Sequence, residues 1–109
     1  MARQLVQVLE EKKAEKILLL DIQEVSSFAD YFIICTGSSD RMLNALAESV
    51  TEAAHILFQA PAPIEGKAEN GWLLIDLGDV IVHIFSPDQR EYYRLEQFWD
   101  KARVLLSLQ

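Results

Sequence analysis

Cysteine occurs only once in this sequence, at position 35, so no internal disulfide can form and a reducing interior is the expected setting. Glycine and proline are scarce, four and three residues, which excludes collagen-like and low-complexity chains. The apolar runs Ile17 to Leu20 and Tyr31 to Cys35 fall far short of the roughly 20 residues a membrane-spanning helix requires. The opening residues, Met-Ala-Arg-Gln-Leu-Val, lack the apolar core and small-residue cleavage site of a secretory signal, so the cytoplasm is the expected location. With one cysteine and two distant histidines, His55 and His83, there is poor material for a zinc site. Positive charge is also short. Ten Lys and Arg stand against seventeen Asp and Glu, a net charge of −7. Long-range attraction to phosphate backbones is therefore missing; a basic protein partner is easier to accommodate, although acidity by itself also serves solubility.

What remains is a globular composition, half apolar and one quarter charged. A chain of 109 residues fits one domain, 1–109, and a chain of this size buries roughly 65% of the surface it exposes when unfolded. Its organising stretch is Trp72 to Phe85, two apolar runs about Gly78-Asp79. Glycine tolerates the positive φ that a type II′ turn needs at its first central position, which sets Leu77 opposite Val80. Alternation then places Leu73, Ile75, Leu77, Val80, Val82 and Ile84 on one purely aliphatic face. Trp72, Leu74, Asp76, Ile81, His83 and Phe85 occupy the other. Aromatic rings mixed with a carboxylate and an imidazole suit a contact surface better than a deep core.

Around the hairpin, residues 3–15 have the spacing of an amphipathic helix, and Ile17 to Asp21 that of a buried strand. Ser26 to Asp30 supply turn chemistry before a second strand, Tyr31 to Thr36. Leu43, Leu46, Ala47, Val50, Ala54 and Leu57 repeat at helical steps, with Ser38 or Ser39 as N-cap, Asp40 in the first turn and Pro61 and Pro63 barring continuation. Residues 60–71 form the one long connection, a candidate for mobility. Ser86-Pro87-Asp88 starts a third helix whose stripe runs Tyr92, Leu95, Trp99, Ala102, Leu106. The order α-β-β-α-β-β-α predicts an α/β fold with a mixed sheet, the crossover helix joining parallel strands and the hairpin adding an antiparallel pair. Three helices are expected mainly on the aliphatic face, leaving part of the aromatic face for a partner.

Candidate sites divide between chemistry and docking. Gly37-Ser38-Ser39-Asp40 lies where a strand passes into a helix, a place that holds anions in some enzymes, but helix capping alone accounts for it. Cys35 has no neighbour in sequence to lower its pKa and reads as a small core residue. Asp76 and His83 lie diagonally on one face of the hairpin; without a nucleophile they suit a polar spot in an interface rather than a catalytic pair. Trp72 fits either the core or a binding hot spot. Helical spacing sends Tyr92 into the stripe and turns Arg90 and Tyr93 elsewhere, where they can extend a docking surface.

Ser26-Ser-Phe-Ala-Asp-Tyr-Phe-Ile-Ile-Cys-Thr-Gly-Ser-Ser39, the whole Trp72 to Phe85 stretch, and Arg90-Glu-Tyr-Tyr-Arg-Leu-Glu96 with Phe98-Trp99 resemble the ribosomal silencing factor, or iojap-like, family over nearly the whole chain. The resemblance implies a nucleotidyltransferase-like fold without the catalytic carboxylates, no cofactor and no enzymatic activity. It implies a translational repressor that binds ribosomal protein fourteen of the large subunit at the intersubunit face and blocks joining of the small subunit when nutrients run short. Carried over by position, Trp72 and Leu73 are the implied contacts, with Arg90 and Tyr93 beside them, although alternation sets Leu73 on the opposite face from Trp72. The acidic charge favours protein over RNA, with rRNA contact expected only at the rim, and a bare apolar face leaves room for a homodimer in the free protein. The rival expectation is a small nucleotidyltransferase-like enzyme using Gly37, Ser38 and Asp76 or Asp79 with a divalent ion.

Overall fold

The hairpin forms in the expected register and sits near the middle of a six-stranded mixed sheet. The computed structural model describes residues 1–94 and 101–109. Helix α1 (Ala2–Glu11) leads into β1 (Glu15–Asp21) and β2 (Tyr31–Thr36). Helix α2 (Asp40–Phe58) follows, then β3 (Ile64–Lys67), a 3-10 turn (Ala68–Asn70), β4 (Trp72–Asp76), β5 (Val80–Phe85), α3 (Pro87–Tyr93) and β6 (Arg103–Leu108). The spatial order is β3-β4-β5-β2-β1-β6. Trp72 lies opposite Phe85 and Ile75 opposite Val82, and the Leu77 N–H donates to the Val80 carbonyl at 2.9 Å. Gly78 carries the positive φ, +87°. The turn is buttoned down, since the Asp79 carbonyl accepts the N–H groups of Asp30 and Tyr31 at the start of β2.

Among the described residues β2 pairs with β5 in parallel and the other pairs are antiparallel. Those central strands are the most buried, which is why Tyr31–Thr36 and Val80–Phe85 read as continuous apolar runs. The crossover helix α2 does not lead directly into the hairpin, as the sequence suggested. It leads into β3, which runs antiparallel to β4 and hence parallel to β5 and β2. The crossover rule therefore holds, but for an edge strand lying within the 60–71 segment expected to be a loop. Ser39 caps α2, its hydroxyl accepting the Met42 N–H at 3.1 Å, and the helix ends at Gln59 in the left-handed region.

Helices α1 and α2 cover one face, where Leu5, Leu9, Leu43, Leu46 and Val50 pack on Ile17, Leu19, Ile33, Cys35, Leu73, Ile75, Val82 and Ile84. The third helix departs from expectation twice. It is seven residues long and stops at Arg94, whose φ of +47° closes it without a glycine signal. Of the expected stripe, Leu95 and Trp99 lie outside the described residues, Ala102 packs on the aromatic side of the sheet, and Leu106 belongs to β6, paired with Leu19. Helix α3 also lies over the aromatic face, not the aliphatic one.

Candidate protein-interaction surface

The aromatic face is less bare than its composition suggested. Ile22, Ala29, Phe32, Ile34, Ile81 and Phe85 form a second buried cluster on it, with Val25, Trp72, Leu74 and Ala102 packed at its margin. Among the described residues, exposed rings remain at Phe28 and at the corner where β4 begins and α3 ends.

Local chemistry explains that corner. Gly71 closes the 3-10 turn with φ +76°, and a Cβ there would meet Ser86 Oγ and Gln89 Cγ, each at 2.5 Å. Only glycine lets the start of β4 lie so close to the amino end of α3. The Ser86 N–H then donates to the Gly71 carbonyl at 2.9 Å, while the Ser86 hydroxyl caps α3 by accepting from the Gln89 N–H. Trp72 is thereby set beside the helix. Its ring centroid lies 4.5 Å from Tyr93, 5.0 Å from Phe85 and 5.9 Å from His83. Its indole N–H donates to His83 Nδ1 at 3.2 Å. Trp72 is half-buried, Tyr93 is 42% exposed, and Tyr92 stands edge-on to Tyr93 at 5.0 Å with 77% of its surface in solvent. Tyr92 was expected in the core, an assignment that required α3 to continue; the helix stops one residue later, and among the described residues the outward ring meets Tyr93 alone in a ring contact.

The other expected site residues fall into three positions. Leu73 is 2% exposed and lies in the aliphatic cluster, so the alternation inferred from the sequence holds and this side chain is withdrawn from the surface. His83 is 5% exposed, edge-on to Phe32 at 4.7 Å; burial pushes its pKa down to about 4, and its Nε2 has no hydrogen-bond partner among the described residues. Asp76 is exposed at the far end of β4 and accepts the Gly78 N–H at 2.8 Å. No bond joins it to His83; the two are diagonal on the face and each is engaged elsewhere. Arg90 is half-buried and turns inward, its Nη1 donating to the Lys16 carbonyl at 2.8 Å and to Thr36 Oγ1 at 3.1 Å. It clamps α3 onto the ends of β1 and β2, bringing Tyr93 over Trp72. Sequence reasoning did not single out Phe85, the floor beneath Trp72, although the register that pairs the two already contained it.

The strand-to-helix turn is also engaged internally. The Gly37 N–H donates to the Phe85 carbonyl at 2.9 Å and the Ser39 hydroxyl serves the α2 cap, so neither is turned to an anion. Cys35 is fully buried, and burial raises its thiol pKa to about 12 against a smaller opposing pull from Arg90. Among the described residues, no three His, Cys, Asp or Glu side chains gather closely enough to hold a metal ion, and no helix is long and apolar enough to cross a membrane.

Residues 1–108 match the family described as "Ribosomal silencing factor during starvation". The chain belongs to the ribosomal silencing factor family. It is 44% identical over 93 residues to the ribosomal silencing factor RsfS of Bacillus subtilis, covering 85% of this chain and 79% of that protein. A mouse protein named "Mitochondrial assembly of ribosomal large subunit protein 1" is 33% identical over 98 residues, 87% of this chain but 43% of the relative. A crystal structure of a protein from Chromobacterium violaceum superposes with a TM-score of 0.85 at 33% identity, covering 91% of this chain and 82% of that one. The relatives from Bacillus subtilis and Halalkalibacterium halodurans are named as silencing factors rather than as enzymes.

Proposed function

We propose that this chain is a steric repressor of translation. It docks on the large ribosomal subunit at the intersubunit face, against ribosomal protein fourteen of that subunit, and keeps the small subunit from joining when nutrients are limiting. The observation that carries this reading is the open corner of rings, Trp72 with Tyr93 and Tyr92, held on a rigid sheet beside groups engaged in structure rather than in chemistry. Aromatic side chains fixed in this way supply binding energy at low entropic cost. Family membership supports a silencing role, the wording of the family description is in keeping with a starvation setting, and the name of the mouse relative supports the large subunit as the place of action. A net charge of −7 favours a basic ribosomal protein over rRNA, which would be touched only at the rim.

Within this reading, Trp72 and Tyr93 meet the partner. His83 and Arg90 hold them in place, Leu73 anchors the same strand in the aliphatic layer on the opposite face, and Asp76 contributes a charge at the far end of the strand. The protein works in the cytoplasm alongside its ribosomes, and the same corner can pair two copies of the free chain until docking separates them. The test is sedimentation with purified large subunits, followed by addition of small subunits. The wild-type chain co-sediments and lowers the yield of joined ribosomes. Trp72→Ala weakens binding by about 2 kcal/mol, or roughly 30-fold. Equal binding by the variant refutes the assigned surface, and undiminished joining in the presence of bound protein refutes the steric mechanism.

A further inference from the structure

His83 is a polar residue in a layer built from Ile34, Ile81, Phe32 and Phe85. At 5% exposure it is too deep to touch a partner, yet among the described residues its imidazole bonds to the ring at the open corner. We infer that His83 is a positioning residue for docking: its imidazole accepts the Trp72 indole N–H and fixes the orientation in which that ring meets a partner.

Three observations converge on this assignment, which rests on the docking role proposed for Trp72. The bond has a defined direction. An indole N–H only donates, so His83 Nδ1 must hold a lone pair and the ring proton must sit on Nε2. That proton lies on a buried nitrogen that has no hydrogen-bond partner among the described residues. An apolar side chain would fill this place without leaving a donor unanswered, so the imidazole is not explained by packing. The imidazole is itself immobilised, with Phe32 edge-on at 4.7 Å and Phe85 in a near-parallel plane at 6.2 Å. Trp72 is consequently held on its polar edge by a fixed acceptor, while Tyr93 and Phe85 hold its rings. Burial keeps the imidazole neutral, so the lone pair persists throughout the neutral pH range.

Three variants separate positioning from packing. His83→Phe fills the space without an acceptor. His83→Asn places Oδ1 close to where Nδ1 sits, and His83→Gln carries its acceptor one bond further out. Two readouts are taken on each: the Trp72 indole N–H resonance and its exchange rate in ¹H–¹⁵N spectra, assigned by its loss in Trp72→Phe, and affinity for purified large subunits. In His83→Phe the resonance moves toward that of a free indole, exchange quickens and affinity falls about tenfold, the effect of one lost hydrogen bond. His83→Asn restores both and His83→Gln restores neither. If His83→Phe fails to fold, the Asn and Gln pair carries the same comparison. Unchanged affinity in His83→Phe or His83→Gln, with Trp72→Ala still defective, overturns the positioning role. So does a loss of affinity in all variants while the indole resonance stays in place. Normal binding by Trp72→Ala instead removes the docking reading, and the indole resonance still reports whether His83 holds the ring.

Discussion

Arg90→Met tests whether the short third helix is held in place by its one inward-turned arginine. Methionine keeps most of the aliphatic stem and removes the guanidinium, so both bonds to the ends of the sheet are lost. Their loss is unequal. Lys16 is exposed and its carbonyl regains a bond from water, whereas Thr36 is 3% exposed and its hydroxyl is left in a dry position. A hydrogen bond from a charged donor contributes about 1.5–3 kcal/mol. Discounting the bond that water replaces, and the partial exposure of Arg90 itself, leaves a destabilisation of about 2 kcal/mol. For a chain of this length that lowers Tm by roughly 8 °C. The effect should also be local: amides of α3 exchange faster, and Tyr93 loosens from Trp72. Arg90→Lys recovers less than half, because its ammonium ends one bond nearer the backbone on a flexible stem and does not reach the place from which Nη1 meets acceptors on two strands. Thermal and urea denaturation of the three proteins, with hydrogen exchange read over α3, measure all of this. A methionine variant that melts within about 1 °C of wild type, corresponding to a few tenths of a kcal/mol, refutes the clamp.

Gly71→Ala combines a positive φ with a Cβ driven into the Ser86 cap; unfolding in urea should show a loss of about 2 kcal/mol or more, and an unmoved midpoint contradicts the close approach of β4 and α3. His83 gives a pH dependence of definite sign. Its folded pKa of about 4 lies below its ordinary 6.5, so the neutral form is retained on folding. Its contribution is complete above about 6.5 and is lost as pH falls toward 4, amounting to about 3 kcal/mol over that window. Stability curves of wild type and His83→Asn from pH 7 to 4 separate this from carboxylate protonation: the variant should show the flatter decline, and parallel curves remove the assignment.

The parts of the fold that were legible in the sequence are those where burial imposes a period. The hairpin could be registered to the residue because one of its faces is wholly aliphatic, so a one-residue slip would turn Ile75, Val82 and Ile84 outward. Helix α2 was legible from its stripe and from the Ser39 cap. The strands missed lie at the two edges. Ile64-Glu-Gly-Lys67 is exposed at every position, so no alternation marks it, and the preceding prolines read as loop. Arg103–Leu108 follows residues whose spacing also suits a helix, and Arg94 ends α3 in the left-handed region without the glycine that usually announces a stop. The same error placed Tyr92 in the core. At the candidate surface, the faces of Trp72, Leu73 and His83 followed from alternation. The bond between indole and imidazole did not, nor did the inward turn of Arg90, because both depend on rotamers set by elements far apart in the chain.

The sheet divides two requirements between its faces. Packing α1 and α2 against Leu73, Ile75, Val82 and Ile84 builds a close-packed aliphatic layer, which supports strands β4 and β5 from one side. The other face is then free to depart from a simple apolar core. It carries a buried imidazole whose Nε2 donor is unanswered among the described residues, and exposes two tyrosines at its margin, features that an isolated hairpin could not sustain. A ring presented on a floppy strand would lose part of its binding energy to ordering. Here Trp72 is ordered beforehand by Phe85 beneath it, Tyr93 beside it and His83 at its polar edge. The stability of the aliphatic side is thus what makes the aromatic corner usable as a preformed surface, and substitutions in either layer should reach docking by different routes: through the population of folded protein on one side, and through the orientation of a single ring on the other.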